Sequence, residues 1–306
     1  MSKASFQPAL LHPRHWPVWL IVGLLRLLLL LPFRVQLALG RGIGRLFLLL
    51  GKRRARIARI NLELCFPELS AEEREHVLRR HFESVGIGVF ELGMAWWASD
   101  RRMKRLVHIE GLEHLREAFA QGKGVILLSA HFTTLEMGGR FLALQAPDLP
   151  MAALYRQNEN PVLEHLIITK RTQLWGRPIR REDVRTMLRT LRDGKIVWYA
   201  SDQNFGHKGS VFADFFGVPA ATNTATTRLS GMTGAPVVPF FTRRLDDGSY
   251  VQTISPPLED FPGENPEADA TRINLIIEDW VRQAPEQYFW LHRRFKDRPG
   301  DEPRFY

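Results

Sequence analysis

The chain carries a single cysteine in 306 residues. Cys65 has no partner for an intramolecular disulfide, and no thiolate metal cluster can be assembled around it. A reducing compartment fits that usage. Internal repeats and low-complexity linkers are also absent. The remaining composition is ordinary: 45% hydrophobic, 25% charged, 23 Gly and 19 Pro. Those proportions argue against a disordered, collagen-like or many-span membrane chain. The length allows one large domain or two small ones, with room for a sizeable core.

Acid is missing from one particular place. From Arg34 to Arg59 there are eight cations (Arg34, Arg41, Arg45, Lys52, Arg53, Arg54, Arg56, Arg59) and no Asp or Glu. The whole chain has a formal charge of +9, so this segment accounts for nearly all of it and the body is close to neutral. A clustered basic patch is one way to read nucleic-acid phosphates. The neighbouring sequence points elsewhere. Trp16 to Phe33 is an apolar run broken only by Arg26. As one helix it would reach roughly 27 Å, slightly short of a ~30 Å hydrocarbon core. Arg26 would have to snorkel or face protein. Val35 to Leu50 is apolar with Arg41 and Arg45 in it and reads as an interfacial helix. Trp16 and Trp19 suit a headgroup boundary. The rivals are a cleaved signal peptide ending near Ala38-Leu39-Gly40 and a buried hairpin. Arg34 and the polybasic stretch favour an uncleaved anchor, with the body on the cytoplasmic side.

Further along, Ser70 and Glu73 form a capping box for a helix running through Phe82 to Trp97. From Gly111 short apolar runs alternate with helical patterns. Strands are expected at Val125–Ser129, Met151–Tyr155, Ile196–Ser201, Pro236–Thr242 and Tyr250–Ile254, with a hairpin turn at Asp246-Asp247-Gly248. Helices are expected from Pro161, over Glu182–Leu191 with Gly194 as the stop, over Thr222–Met232, and over Ala268–Gln283. This alternation indicates an α/β fold with a mixed sheet flanked by helices.

The sharpest local feature is Ser129-Ala-His131-Phe-Thr-Thr-Leu-Glu136. His131 falls just past a strand end, where open α/β sheets bind ligands. Glu136 follows in the first turn of a helix. A His held by a carboxylate can take a proton from a hydroxyl, which then attacks an acyl carbonyl. The bland reading is that Thr133 and Glu136 are only a capping box.

The neighbours of His131 carry a resemblance. They are His131-Phe-x-x-Leu-Glu136 with Gly138-Gly-Arg140, then Tyr155-Arg156, and Asp202-Gln203 followed by Gly206 and Lys208-Gly209-Ser210. Phe215-Phe216-Gly217, Arg228-Leu-Ser-Gly231 and Ala284-Pro-Glu-Gln-Tyr288 come next, followed by Trp290 and His292-Arg-Arg-Phe-Lys296. In this order, over almost the whole chain, they resemble the bacterial lipid A biosynthesis acyltransferases, specifically the lauroyl branch within the wider lysophospholipid-type acyltransferases.

The resemblance implies transfer of a fatty acyl chain from acyl carrier protein to a hydroxyacyl chain of a Kdo-bearing lipid A precursor. The enzyme would be bound to the inner membrane, single-pass or monotopic, and work at the cytoplasmic face among anionic lipids. No cofactor, resident metal or nucleic acid is expected. The implied organisation is a membrane anchor over 1–33, a basic interfacial segment over 34–66 and an acyltransferase domain over 67–306. His131 and Glu136 carry over as the catalytic dyad. A thioester attack builds an oxyanion that needs fixed positive charge, which Arg156 can supply after its strand. Asp202 ends a strand on the same edge and would orient Arg156 or a substrate sugar. Lys208, between Gly206 and Gly209, resembles an anion-binding loop, and Arg293, Arg294 and Lys296 are candidates for substrate phosphates or the acidic carrier. Phe215, Phe216, Phe289 and Trp290 read as core. Two readings compete with the acyltransferase of lauroyl or other chain specificity. One is a metal-dependent phosphoester hydrolase using His131, Glu136, Asp202 and His207. The other is a non-catalytic protein of anionic membrane surfaces.

Overall fold

Pro32 divides the apolar N-terminus. In the computed structural model, which describes residues 7–204, 206 and 209–306, α1 spans Trp16–Leu28 and α2 spans Phe33–Leu50. A 13-residue helix reaches about 20 Å, so the single long helix expected over Trp16–Phe33 is not formed. Among the described residues no helix is long and apolar enough to cross a membrane. The apolar faces stay uncovered nonetheless: Leu20, Leu30 and Leu49 are each at least 70% exposed. Arg26 is exposed on α1.

The next helices are α3 (Lys52–Cys65) and α4 (Ala71–Trp97), the latter opened by the expected Ser70/Glu73 capping box. Helix α3 turns Ala55, Ala58, Leu62 and Cys65 into the core and leaves Lys52, Arg53 and Arg56 outside. Helix α2 lies against α4 at backbone contact. A Cβ on Gly44 would fall 2.0 Å from the Phe82 carbonyl oxygen, and one on Gly86 would fall 2.1 Å from that of Gly40. Only residues without a side chain allow that approach.

The short helix α5 (Asp100–Lys104) leads into strand β1 (Val107–Glu110), helix α6 (Leu112–Ala120) and β2 (Val125–Ser129). Then come α7 (Leu135–Gln145), β3 (Met151–Tyr155), α8 (Pro161–Leu174), β4 (Ile179–Arg180), α9 (Val184–Arg192) and β5 (Ile196–Ala200). A hairpin of β6 (Ser210–Phe215) and β7 (Val218–Asn223) precedes α10 (Ala225–Thr233), β8 (Val237–Arg244), β9 (Tyr250–Ile254) and α11 (Pro266–Gln283). The seven-stranded sheet runs β1-β9-β8-β2-β5-β3-β4. Its one antiparallel pair is β8–β9, so the sheet is mixed, as the hairpin turn in the sequence implied.

Both faces of the sheet are buried, because alternate residues of each central strand face opposite helix layers. Ile126, Leu128, Val197 and Tyr199 join the cluster containing α3 and α11. Val125, Leu127, Ile196 and Trp198 join the cluster that holds residues of α6 and α7. The expected core aromatics Phe215, Phe216 and Trp290 are buried and Phe289 is partly buried. The helix expected over Thr222–Met232 begins instead at Ala225, because Val218–Asn223 pairs with β6. That hairpin turns on Phe216 and Gly217, both left-handed (φ 53° and 71°), and Gly217 is its one turn signal in the sequence.

Candidate active site

Strands β2 and β5 are neighbours in parallel register, with Ser129 opposite Ala200. Two residues beyond those paired positions, His131 and Asp202 therefore meet at the carboxyl edge of the sheet. His131 Nδ1 lies 2.6 Å from Asp202 Oδ1, and the His131 backbone N–H donates to both carboxylate oxygens at 3.1 Å. Asp202 is almost wholly buried, while 32% of the His131 side chain is exposed. Burial raises the Asp202 carboxyl, but the charge of His131 and the hydrogen bonds from its ring and backbone outweigh it and hold the group at about 2. The ionised carboxylate accepts from Nδ1–H. Nε2 is then the nitrogen with a free lone pair, on a ring that is partly exposed.

The loop carrying His131 is clamped from several sides. Phe289 N–H donates to the His131 carbonyl at 2.9 Å, and Thr133 N–H donates to the Gln287 carbonyl at 2.8 Å. The Thr134 hydroxyl donates to the Thr242 carbonyl at 2.7 Å. Burial first, and then the charge of the nearby Asp202 carboxylate, push the Tyr288 phenol well above the usual range. The segment Pro285–Trp290, singled out in the sequence, thus works as a brace for the His131 loop. His292 lines the same cleft. Burial lowers its imidazole to about 4, and its Nε2 accepts from the Asn204 N–H at 2.9 Å.

Glu136 is not the partner of His131, which corrects the pairing expected from their spacing. Its Oε1 forms an ion pair with Arg171 of α8, accepting from Nε at 3.0 Å and from a guanidinium N–H, and its Oε2 accepts from Trp96 Nε1 of α4 at 3.3 Å. Both ion-pair side chains are about nine-tenths hidden or nearly so, 15% and 14% exposed. The capping-box reading does not hold either. The N-cap of α7 is Thr134, without a side-chain cap bond, and the Thr133 hydroxyl lies 2.7 Å from that of Ser84. Helix α7 sits close on the sheet because of Gly138 and Gly139. A Cβ on Gly139 would fall 2.6 Å from Trp198.

The ladder between β3 and β5 ends at Ala153 opposite Trp198, after which β3 pairs with β4. The strands part there, and a cleft of about 800 Å³ opens beside His131. Its walls are apolar at Leu154, Met187 and Leu229 and basic at Arg156, Arg171 and Arg228. That volume and mixture suit a ligand with a long apolar part and an anionic part. A larger cavity, about 1060 Å³, lies beside β3 and β4. It shares only Tyr155 with the cleft and reaches neither His131 nor Arg171, so the chemistry belongs to the smaller one.

Of the other residues singled out in the sequence, Arg156 is exposed just after β3 and lines the cleft. Lys208 and His207 lie outside the described residues. Arg294 is 2% exposed, which overturns its assignment to substrate: its guanidinium donates to the Ala221 carbonyl at 2.7 Å and to the Thr222 hydroxyl at 2.8 Å. It fastens β7 to the C-terminal segment. Arg293 is half-buried with its guanidinium over the Tyr306 ring, and Lys296 is exposed; neither lines the cleft. Among the described residues no three metal-binding side chains converge. Arg171, Trp96 and Tyr288 carried no signal as site residues beyond, for Tyr288, its place in a shared motif.

The sequence pattern described as bacterial lipid A biosynthesis acyltransferase matches residues 3–297. The chain is 44% identical to the lipid A biosynthesis lauroyltransferase of Escherichia coli strain K12, over 99% of this chain and 98% of that one. It is 40% identical to the palmitoleoyltransferase of the same organism, over 99% of both, and 32% identical to its myristoyltransferase, over 97% of this chain and 92% of that one. The chain belongs to the bacterial lipid A biosynthesis acyltransferase family, and it is an acyltransferase.

Proposed function

We propose that the protein transfers a lauroyl chain from acyl carrier protein to a hydroxyacyl chain of a Kdo-bearing lipid A precursor, with His131 as the base. The observation that carries this reading is the His131–Asp202 pair, whose Nε2 has no hydrogen-bond partner among the described residues, in a cleft lined by both apolar and basic side chains. The higher identity to the lauroyltransferase than to the palmitoleoyl and myristoyl enzymes supports the chain length.

In the reaction, Nε2 takes the proton of the acceptor hydroxyl as its oxygen attacks the thioester carbonyl. Asp202 holds the ring in the tautomer this requires and stabilises the imidazolium that forms. The tetrahedral oxyanion is met by a guanidinium on the cleft wall: Arg156, which has room to move, or Arg171, which Glu136 fixes in place. Collapse breaks the carbon–sulfur bond, and the imidazolium returns its proton to the departing carrier thiolate. Glu136 thus serves by holding Arg171, not by touching His131.

The exposed apolar faces of α1 and α2, bordered by Arg34, Arg41, Lys52, Arg53 and Arg56, fit a monotopic dock on an anionic membrane, with 1–33 as the anchor and 34–66 as the basic interfacial segment. The membrane in question is the inner membrane, with the cleft on its cytoplasmic side. The test is a transfer assay with carrier-bound acyl chains of 10 to 16 carbons (~2 carbons per step, each step worth about 1.6 kcal/mol of selectivity) and a Kdo-bearing lipid A precursor. Mass spectrometry should show one added lauroyl ester as the main product. Absence of transfer from any chain would overturn the reading, and a maximum at another length would correct the donor.

A further inference from the structure

Arg26 is the one charge in the apolar run from Trp16 to Phe33, and the fold shows what it faces. Val22, Leu25 and Leu28 of α1 share an apolar cluster with Leu166 and Ile167 of α8 and Met94 of α4. Arg26 lies one turn beyond Val22, and Lys170 one turn beyond Leu166. The two cations therefore continue that packed stripe together. They are close enough that, after burial, the charge of Arg26 is what lowers the Lys170 ammonium. The Lys170 Nζ also stands 5.9 Å above the Trp97 ring. Among the described residues neither cation has a carboxylate within salt-bridge distance, whereas Arg171, the next residue on α8, is taken up by Glu136. Lys170 is partly buried and Arg26 is exposed beside it; two like charges set side by side without an acid repel each other unless an anion lies between them. On one side of this pair lies the uncovered apolar surface of α1, with Leu20, Leu24 and Leu27 more than half exposed. Lys170 also precedes, on α8, Arg171, which lines the cleft. Arg294 is unavailable for an anion, being buried against β7.

We propose that Arg26 and Lys170, over Trp97, form a phosphate-ester site at the junction of α1 and α8 that holds the headgroup of a membrane-resident lipid at the rim of the cleft. The site rests on the acyltransferase reading for its purpose: a phosphorylated acceptor anchored there would keep its acyl chains along α1 and its hydroxyl within reach of the cleft. The same chemistry would accept the phosphate of a bilayer phospholipid.

The experiment uses the full-length protein in neutral detergent micelles. Arg26→Gln, Lys170→Gln, the double variant and Lys170→Arg are compared with the native chain for acyl transfer to acceptors with and without their sugar phosphates, with and without added phosphatidylglycerol. The double variant should raise the acceptor KM about tenfold or more, since hydrogen bonds to charged groups are lost, with kcat within about twofold. Lys170→Arg should retain most of the affinity. A defect confined to the phosphorylated acceptor assigns the site to the acceptor's own phosphate. A defect that appears only with phosphatidylglycerol assigns it to the bilayer headgroup. Unchanged KM in both arms, with native melting temperatures, overturns the site. A second readout, calorimetric titration with short-chain phosphatidic acid, does not depend on catalysis. If the native chain transfers no acyl group, the reaction reading fails while this titration still decides the site, by weaker binding in the double variant or by equal binding in both.

Discussion

His131 owes its role to a register. Spacing along the chain pointed to Glu136, five residues away, but the loop from Ala130 to Thr134 turns so that Glu136 enters α7 facing α8. Parallel pairing of β2 with β5 brings Asp202 instead, from 71 residues away in sequence. The sequence announced both strand ends and both residues; only their adjacency in the sheet was missing, and nothing local encodes the order β2-β5. Asp202→Asn should lower turnover by ~10² to 10⁴ with little change in acceptor KM, by releasing the ring from its tautomer. Glu136→Ala should act differently. It leaves Arg171 buried without its anion, which costs about 3 kcal/mol of stability, and the Glu136→Ala/Arg171→Ala double variant should lose clearly less than the sum of the two single variants. Additive losses in urea unfolding would show that the two side chains act separately. Arg156→Lys separates the two guanidiniums: reduced turnover at unchanged KM would mark Arg156 as the oxyanion's partner.

At the scale of elements, the N-terminal helices are held by close backbone contact at one end and left bare at the other. Gly86→Ala would place a methyl group 2.1 Å from the Gly40 carbonyl oxygen, so α2 must shift off α4. A loss of about 1–3 kcal/mol is expected, and an unchanged unfolding midpoint would contradict the crossing. The bare faces predict partitioning. Changing Leu20, Leu24 and Leu27 to Ser should weaken binding to neutral and anionic vesicles alike. Changing Lys52, Arg53 and Arg56 to Gln should remove only the salt-sensitive part, each cation being worth about 1 kcal/mol near an anionic surface. Binding unaffected by salt would leave apolar burial as the whole attraction. Strands with continuous apolar runs, such as Val125–Ser129, were legible to the residue, as was the capped start of α4. The two-residue β4 and the β6–β7 hairpin were not, since one is defined only by its neighbour and the other turns on a left-handed Phe216.

For the molecule as a whole, the buried His81 and the partly buried His292 shape the response to acid. Burial lowers His81 and His292 to about 4 each. Unfolded, both titrate near 6.5, so between those values the unfolded chain binds more protons and stability falls as pH falls. Each contributes up to about 3 kcal/mol of loss between pH 6.5 and 4. Urea unfolding at pH 7, 5.5 and 4.5 should show that slope, and His81→Asn should remove about half of it; a flat profile would mean that the imidazoles are not buried as neutral groups. The fold class and the carboxyl-edge position of the site could be read before the structure because alternating strands and helices leave few sheet arrangements. The break at Pro32 could not, because the apolar run continues across it. Whether a base oriented by Asp202 drives acyl transfer from this cleft is decided by single-turnover transfer from lauroyl carrier protein, with Asp202→Asn beside the native chain. The chemical step should slow by at least ~10² with donor and acceptor still bound; transfer at the native rate would rule out Asp202 as the orienting group.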